Sequence, residues 1–140
     1  MLATFELHPR LAADCIVLGD LPLSRLLLMN DSRFPWCILV PRQAGLRELH
    51  DLVPTDGAKL FAELDRVARA LIDCCGAYKL NVGALGNLVP QLHVHVVARQ
   101  PQDAAWPGPV WGSGPAVPYA ADAATRLTAR LRAALGISAG

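Results

Sequence analysis

The chain has 140 residues, of which 53% are hydrophobic, with 13 basic and 12 acidic side chains scattered along it for a net charge of +1. That is the length of one ordinary domain with apolar surface enough for one core, so the reading expects a single domain over 1–140. The near-balanced charge leaves no electrostatic footprint for nucleic acid, and no apolar run reaches the ~18–20 residues a membrane helix needs.

The opening MLATFELHPR lacks a basic stretch followed by an apolar core. The expectation is therefore a cytoplasmic protein with no membrane partner and no nucleic-acid partner. Cys15, Cys37, Cys74 and Cys75 form no C-x-x-C pair and read as reduced, mostly buried thiols. Short β-forming runs follow at Cys15–Leu18, Arg25–Met29 and Trp36–Val40, the second and third joined by a polar connection that suits an antiparallel hairpin.

From Thr55 the period changes. Leu60, Leu64, Val67, Leu71 and Cys75 recur at helical spacing, with Lys59, Glu63, Arg66, Arg69 and Asp73 mostly on other faces. Thr55 can cap this amphipathic helix, and Gly76 can end it in a left-handed turn. A fourth strand is expected at Tyr78–Val82, a glycine-bearing loop at GALGN, and a fifth strand at Gln91–Arg99, neighbour to the fourth. Residues 101–120 carry too much proline and glycine for regular structure, yet Trp106, Trp111 and Tyr119 are costly to leave in water, so the segment should pack on its own body or on a partner. A closing helix is expected from Ala120 to Leu135, with ISAG fraying beyond it.

The fifth strand raises the functional question. In PQLHVHVVAR, alternation puts Leu92, Val94 and Val96 on one face and Gln91, His93 and His95 on the other. Two structural histidines on a half-exposed face are one reading. A metal site is another, but Gln91 and Asn87 are the only polar neighbours and neither a carboxylate nor a thiolate is near. The third is phosphate chemistry. An imidazole whose Nδ1–H is held by a carbonyl presents Nε2 as a nucleophile, and a second imidazole beside it can bind or protonate a phosphate oxygen. The loop NVGALGNLV supplies the rest: Gly83 and Gly86 let backbone N–H groups approach an oxyanion, and the Asn81 and Asn87 amides add uncharged donors.

NVGALGNLVPQLHVHVV resembles the signature of the histidine triad (HIT) superfamily, an N-x-G segment, then G-Q-[ST]-V, then H-φ-H-φ-H-φ-φ with φ apolar. LLLMNDSRFPWCILVPR is similar to that family's strand, turn and strand ending in L-V-x-P, and ELHDL to the turn before its long helix. The likeness covers about residues 15–99, and the Trp-, Pro- and Gly-rich 100–140 resembles a bacterial branch of the family.

The resemblance implies an α+β fold, a five-stranded antiparallel sheet with one long helix and a C-terminal helix, paired as a homodimer. It also implies a nucleotide hydrolase or transferase that works through a covalent nucleotidyl-histidine on an AMP-like purine nucleotide, with no metal and no cofactor. Substrates would be nucleoside phosphoramidates, dinucleoside polyphosphates or nucleotidyl adducts. By the same likeness His93 stands at the nucleophile, His95 at the phosphate-contacting histidine, and Gln91 where the first histidine is expected, there to orient its neighbour. Asn81, Gly83, Gly86 and Asn87 would hold phosphate, while Asn30, Asp31 and apolar residues such as Leu28 would meet the nucleoside. Three departures accompany it: Asn87 replaces a glutamine, Leu88 a serine or threonine, and Trp36 a histidine before L-V-x-P. The alternatives are a catalytically weak nucleotide-binding protein and a metal-binding sheet protein.

Overall fold

The computed structural model describes residues 3–138. A short helix α1 (Pro9–Asp14) leads into β1 (Cys15–Asp20), β2 (Ser24–Met29) and β3 (Trp36–Pro41). A 3-10 turn at Leu49–Asp51 precedes the long helix α2 (Pro54–Cys75), and β4 (Lys79–Gly83), β5 (Val94–Arg99) and α3 (Ala121–Leu135) follow. The five strands form one antiparallel sheet in the order β1-β2-β3-β5-β4. The expected α+β architecture, the β2–β3 hairpin and the β4–β5 pairing are all present.

The sheet is covered on both faces. Leu26, Leu28, Cys37, Leu39, Val94, Val96 and Ala98 face the main core with Leu60, Val67 and Leu71 of α2 and Leu131 of α3. Leu27, Trp36, Ile38, Val40 and Val97 face a second cluster with Leu11 of α1, Phe34, Val89 and Val110. Every residue of the central strand β3 is consequently buried, which is why W-C-I-L-V-P reads as a continuous apolar run without alternation.

Several local expectations are corrected. Thr55 does not cap α2: the helix starts one residue earlier, at Pro54, whose missing N–H and fixed φ suit the first turn, and Val53 is the capping residue. Gly76 does end it, at φ 62°. Glu63 is buried, 2% exposed, although its position reads as polar periphery. Its carboxylate accepts the backbone N–H groups of Leu23 (2.6 Å) and Ser24 (3.1 Å), tying α2 to the β1–β2 connection. Glu63→Ala leaves both donors unsatisfied, and at ~1–3 kcal/mol each a loss of about 2–6 kcal/mol is expected in urea unfolding.

Helix α1 escapes prediction because it is only 6 residues long; its signal is the His8-Pro9 pair, with His8 Nδ1 accepting the Arg10 N–H and Pro9 at the first position. Of the free thiols only Cys37 is buried; the other three are half-buried. At the C-terminus Ile137 packs on the main core instead of fraying, while Ala139 and Gly140 lie outside the described residues.

Residues 100–120 form turns with no helix or strand, and they pack on the chain's own body. Asp103 anchors them. Its carboxylate takes Arg99 Nε (2.7 Å) and Nη2 (3.0 Å) and the backbone N–H groups of Gln100, Ala105 and Trp106. The Arg99 guanidinium, 1% exposed, lies against the rings of Phe34 and Trp106, each 5.6 Å from its centroid. Arg33 is the second tie: it binds Asp31 bidentately and donates to the carbonyls of Ser113 and Gly114.

Candidate active site

β5 is shorter than its sequence pattern suggests. Pro90 supplies no N–H, Leu92 donates to the Leu46 carbonyl, and ladder pairing begins at Val94, so Gln91–His93 form an extended lead-in to the strand. Alternation nevertheless holds through it: Leu92, Val94 and Val96 enter the main core, and His93 and His95 project to the opposite face with ring centroids 4.9 Å apart.

There they border a cleft of about 730 Å³. One wall is the loop Leu85–Val89, a second is α1 through Arg10, Leu11, Ala13 and Asp14, and a third is Met29 to Asp31 with Arg33. The segment from Val110 to Pro118 closes the remaining side.

Each histidine has one defined partner. His93 Nδ1 lies 2.7 Å from the Gln91 carbonyl oxygen, and that oxygen can only accept, so Nδ1 carries the proton and Nε2 presents a lone pair. His95 Nδ1 accepts the indole N–H of Trp36 at 2.9 Å. His95 is 6% exposed, and burial, followed by the charge that His93 can carry beside it, pushes its pKa down to about 4. His95 therefore stays neutral through mild acid.

The other sequence-predicted residues divide. Gly86 and Asn87 line the cleft, Gly86 at φ 72°, in the left-handed region that glycine adopts without a side-chain clash. Leu88 stands at the cleft's lip, 74% exposed. Asn30 and Asp31 line the cleft as well, but their oxygens are taken: Asn30 Oδ1 accepts the Tyr119 N–H, and Asp31, 1% exposed, accepts from Arg33 and from the Val117 N–H.

Asn81, Gly83 and Leu28 do not join the cleft lining. Asn81 Oδ1 accepts from Arg99 Nη1 at 2.8 Å. Gly83 pairs with His95 across the ladder, and a Cβ on it would come within 3.1 Å of the Trp111 ring, so its missing side chain makes room for that indole. Leu28 points into the main core because it is one residue out of phase with Leu27 and Met29, which lie on the other face of the sheet with the second cluster. Nor does the Gln91 amide reach His93: it binds the Glu6 carbonyl and the His8 N–H, pinning the N-terminal segment, while its main-chain oxygen does the orienting.

The model of the HIT domain matches residues 10–102. The chain belongs to the histidine triad family. A histidine triad protein of Sinorhizobium meliloti is 47% identical over 96% of this chain and 100% of its own, with a TM-score of 0.92. One from Bradyrhizobium japonicum is 45% identical over 95% of this chain and 99% of its own (TM-score 0.93), and one from Marinobacter aquaeolei 45% identical over 96% and 98% (TM-score 0.93). No curated protein matches the chain.

Two histidines of this histidine triad protein, His93 and His95, border the cleft, and a glutamine stands two residues before the first of them. Sequence reasoning missed much of the rest of the lining. Arg10, Leu11 and Asp14 come with the unforeseen α1, and Met29 follows from strand phase once Leu27 is seen to share the face of the second cluster. Trp111, expected to anchor the tail or a dimer, lies edge-on to both His95 (5.4 Å) and Trp36 (6.3 Å). Among the described residues no three of His, Cys, Asp or Glu gather as a metal-binding group.

Proposed function

We propose that this histidine triad protein is a nucleotide hydrolase or transferase that passes an AMP-like nucleotidyl group through His93. The observation that carries the reading is the His93 geometry: Nδ1–H held by the Gln91 carbonyl, Nε2 free toward a cleft of nucleotide size, and a second imidazole alongside. His93 Nε2 donates its lone pair to the α-phosphorus of a nucleoside phosphoramidate, dinucleoside polyphosphate or nucleotidyl adduct. The bond from phosphorus to the leaving amine or phosphate breaks, and its electron pair goes with the leaving group, which takes up a proton. Water then attacks the same phosphorus, the P–N bond breaks, and its pair returns to Nε2 as the nucleoside monophosphate departs. Two displacements replace one harder one.

Gly86, Asn87 and the amides of the Leu85–Val89 loop would meet the phosphoryl oxygens, while Met29 and Leu11 give the nucleoside an apolar wall. Asp31 supports that wall through Arg33 and is not free for a ribose hydroxyl. The scheme uses neither metal nor cofactor. The test is a denaturing alkaline quench of the protein with nucleoside-labelled phosphoramidate, with alkali-stable, acid-labile label on the chain as the expected result. Saturable AMP binding with no label and no turnover would favour the weak nucleotide-binding alternative.

The protein is further proposed to be a homodimer joined along β4. The opposite edge strand, β1, is bulged between Val17 and Gly19, and its Val17 and Leu18 carbonyls accept from Arg132. β4 has no such cover among the described residues, and Val82 on it and Tyr78 just before it stand 55% and 69% exposed. A regular edge with apolar flanks favours strand pairing with a second copy. Sedimentation at micromolar concentration should give twice the 15.0 kDa chain mass, and a monomer would overturn the pairing. No described helix is long and apolar enough to cross a membrane, and neither a membrane nor a nucleic acid is proposed as a partner.

A further inference from the structure

We infer that Trp36 is a positioning residue, whose indole N–H fixes His95 as the tautomer with its proton on Nε2 and so makes it a neutral hydrogen-bond donor to the transferring phosphoryl group. The inference rests on the nucleotidyl-transfer reading for its chemistry, but the tautomer itself does not depend on that reading.

The register brings the two rings together. Trp36 pairs with Val97 across β3–β5, and His95, two residues before Val97, is its diagonal neighbour on the cleft face. Indole nitrogen is a donor only, so at 2.9 Å its partner Nδ1 must offer a lone pair, and the proton of the neutral ring is left on Nε2. The indole cannot easily turn away. It is 6% exposed, edge-on to Phe34 at 6.4 Å and to Trp111 at 6.3 Å.

Protonating Nδ1 would set two donors against each other, which adds to the burial that already disfavours charge on His95. The groups packed on the ring offer no compensating anion: His93 precedes it on β5, Trp36 comes from β3, Trp111 from the 110–118 segment, and Gly83 pairs with it from β4. The charged residues of the cleft wall are engaged elsewhere, Arg33 with Asp31 and Arg10 with Asp14.

A neutral imidazole is a poor proton source near pH 7 but a good hydrogen-bond donor. His95 therefore contributes by donating Nε2–H to developing charge on a phosphoryl oxygen, and the leaving group takes its proton from solvent water.

Nitrogen-15 correlation spectra of the imidazoles, recorded without nucleotide, test the assignment. In the wild type His95 should show the Nε2–H pattern, unchanged between pH 8 and pH 5. Trp36→Phe should give a mixed pattern in which the Nδ1–H tautomer is also populated, with kcat reduced by roughly tenfold or more and KM little changed, since one preorganised donor loses its alignment. Trp36→His, which can again offer a ring N–H, should recover part of that loss. A pure Nε2–H pattern surviving in Trp36→Phe would overturn the inference.

Because Trp36 is buried, a second variant leaves it in place. In His95→Phe the Trp36 indole N–H resonance should shift and exchange faster, and an unmoved resonance would also overturn it. If no nucleotidyl adduct forms but the His95 pattern is as expected, the transfer reading fails and the positioning role of Trp36 stands. If the adduct forms with the other tautomer, only this inference fails.

Discussion

His93→Asn should lower nucleotidyl turnover by roughly 10³-fold or more, as loss of a covalent nucleophile does, with the sheet intact and nucleotide binding largely retained. The substitution is mild structurally. His93 sits on the lead-in to β5, outside the ladder, and its ring makes one hydrogen bond, to the Gln91 carbonyl, which an asparagine amide can replace. It is severe chemically, because an amide nitrogen has no lone pair to offer phosphorus.

His95→Asn gives the contrast. It removes a donor and leaves the Trp36 N–H without its partner, effects worth ~10² to 10⁴ in rate, yet the nucleophile remains and labelled adduct should still accumulate. A denaturing alkaline quench with label on the nucleoside separates the two variants. Label on wild type and His95→Asn, but not on His93→Asn, is the expected pattern; label retained by His93→Asn would falsify the nucleophile assignment.

How much of this was legible beforehand depends on the range of the interaction concerned. The paired imidazoles could be read from period-2 alternation alone, and so could the burial of Leu92, Val94 and Val96 behind them, because strand geometry is local. The same rule separates Leu28 from its neighbours on the other face, but only once the phase of β2 is fixed by its pairing with β3. Asn81 and Gly83 look like phosphate ligands in a string of letters because they precede a glycine loop. What they do is decided by Arg99 and Trp111, which lie 18 and 28 positions away in the sequence, contacts that no local pattern encodes. Glu63 is the same case: its helical position reads as polar surface until the β1–β2 connection delivers two unpaired N–H groups to it.

The cleft's fourth wall is the least legible part, and its stability should depend on one ion pair. Asp103→Ala should cost about 3–5 kcal/mol, as breaking a buried pair does, a large share of the ~5–15 kcal/mol typical of a domain. Arg99 would be left buried with only Asn81 and two aromatic faces as partners, and the N–H groups of Gln100, Ala105 and Trp106 would lose their acceptor. The pair also predicts a pH dependence. Hydrogen bonds from Arg99 hold the Asp103 carboxyl down to about 2, below its usual 3.8, so the unfolded chain takes up this proton first. The stabilisation is therefore complete above about pH 4 and is lost as pH falls toward 2.

His95 acts in a higher window. Its pKa of about 4 against 6.5 unfolded means that acid favours the unfolded chain between those values. Urea unfolding followed from pH 7 to pH 2.5 should thus show stability falling in two stages in the wild type, and Asp103→Asn should shrink the lower stage, to which Asp20, Asp31, Asp51 and Asp122 also contribute, while keeping the upper. Because Val110 and Trp111 follow Asp103 into the cleft wall, the same variant should weaken nucleotide binding at neutral pH. An unchanged acid limb, or an Asp103→Ala protein as stable as wild type, would mean that the segment is held by its aromatic contacts and that the ion pair adds nothing.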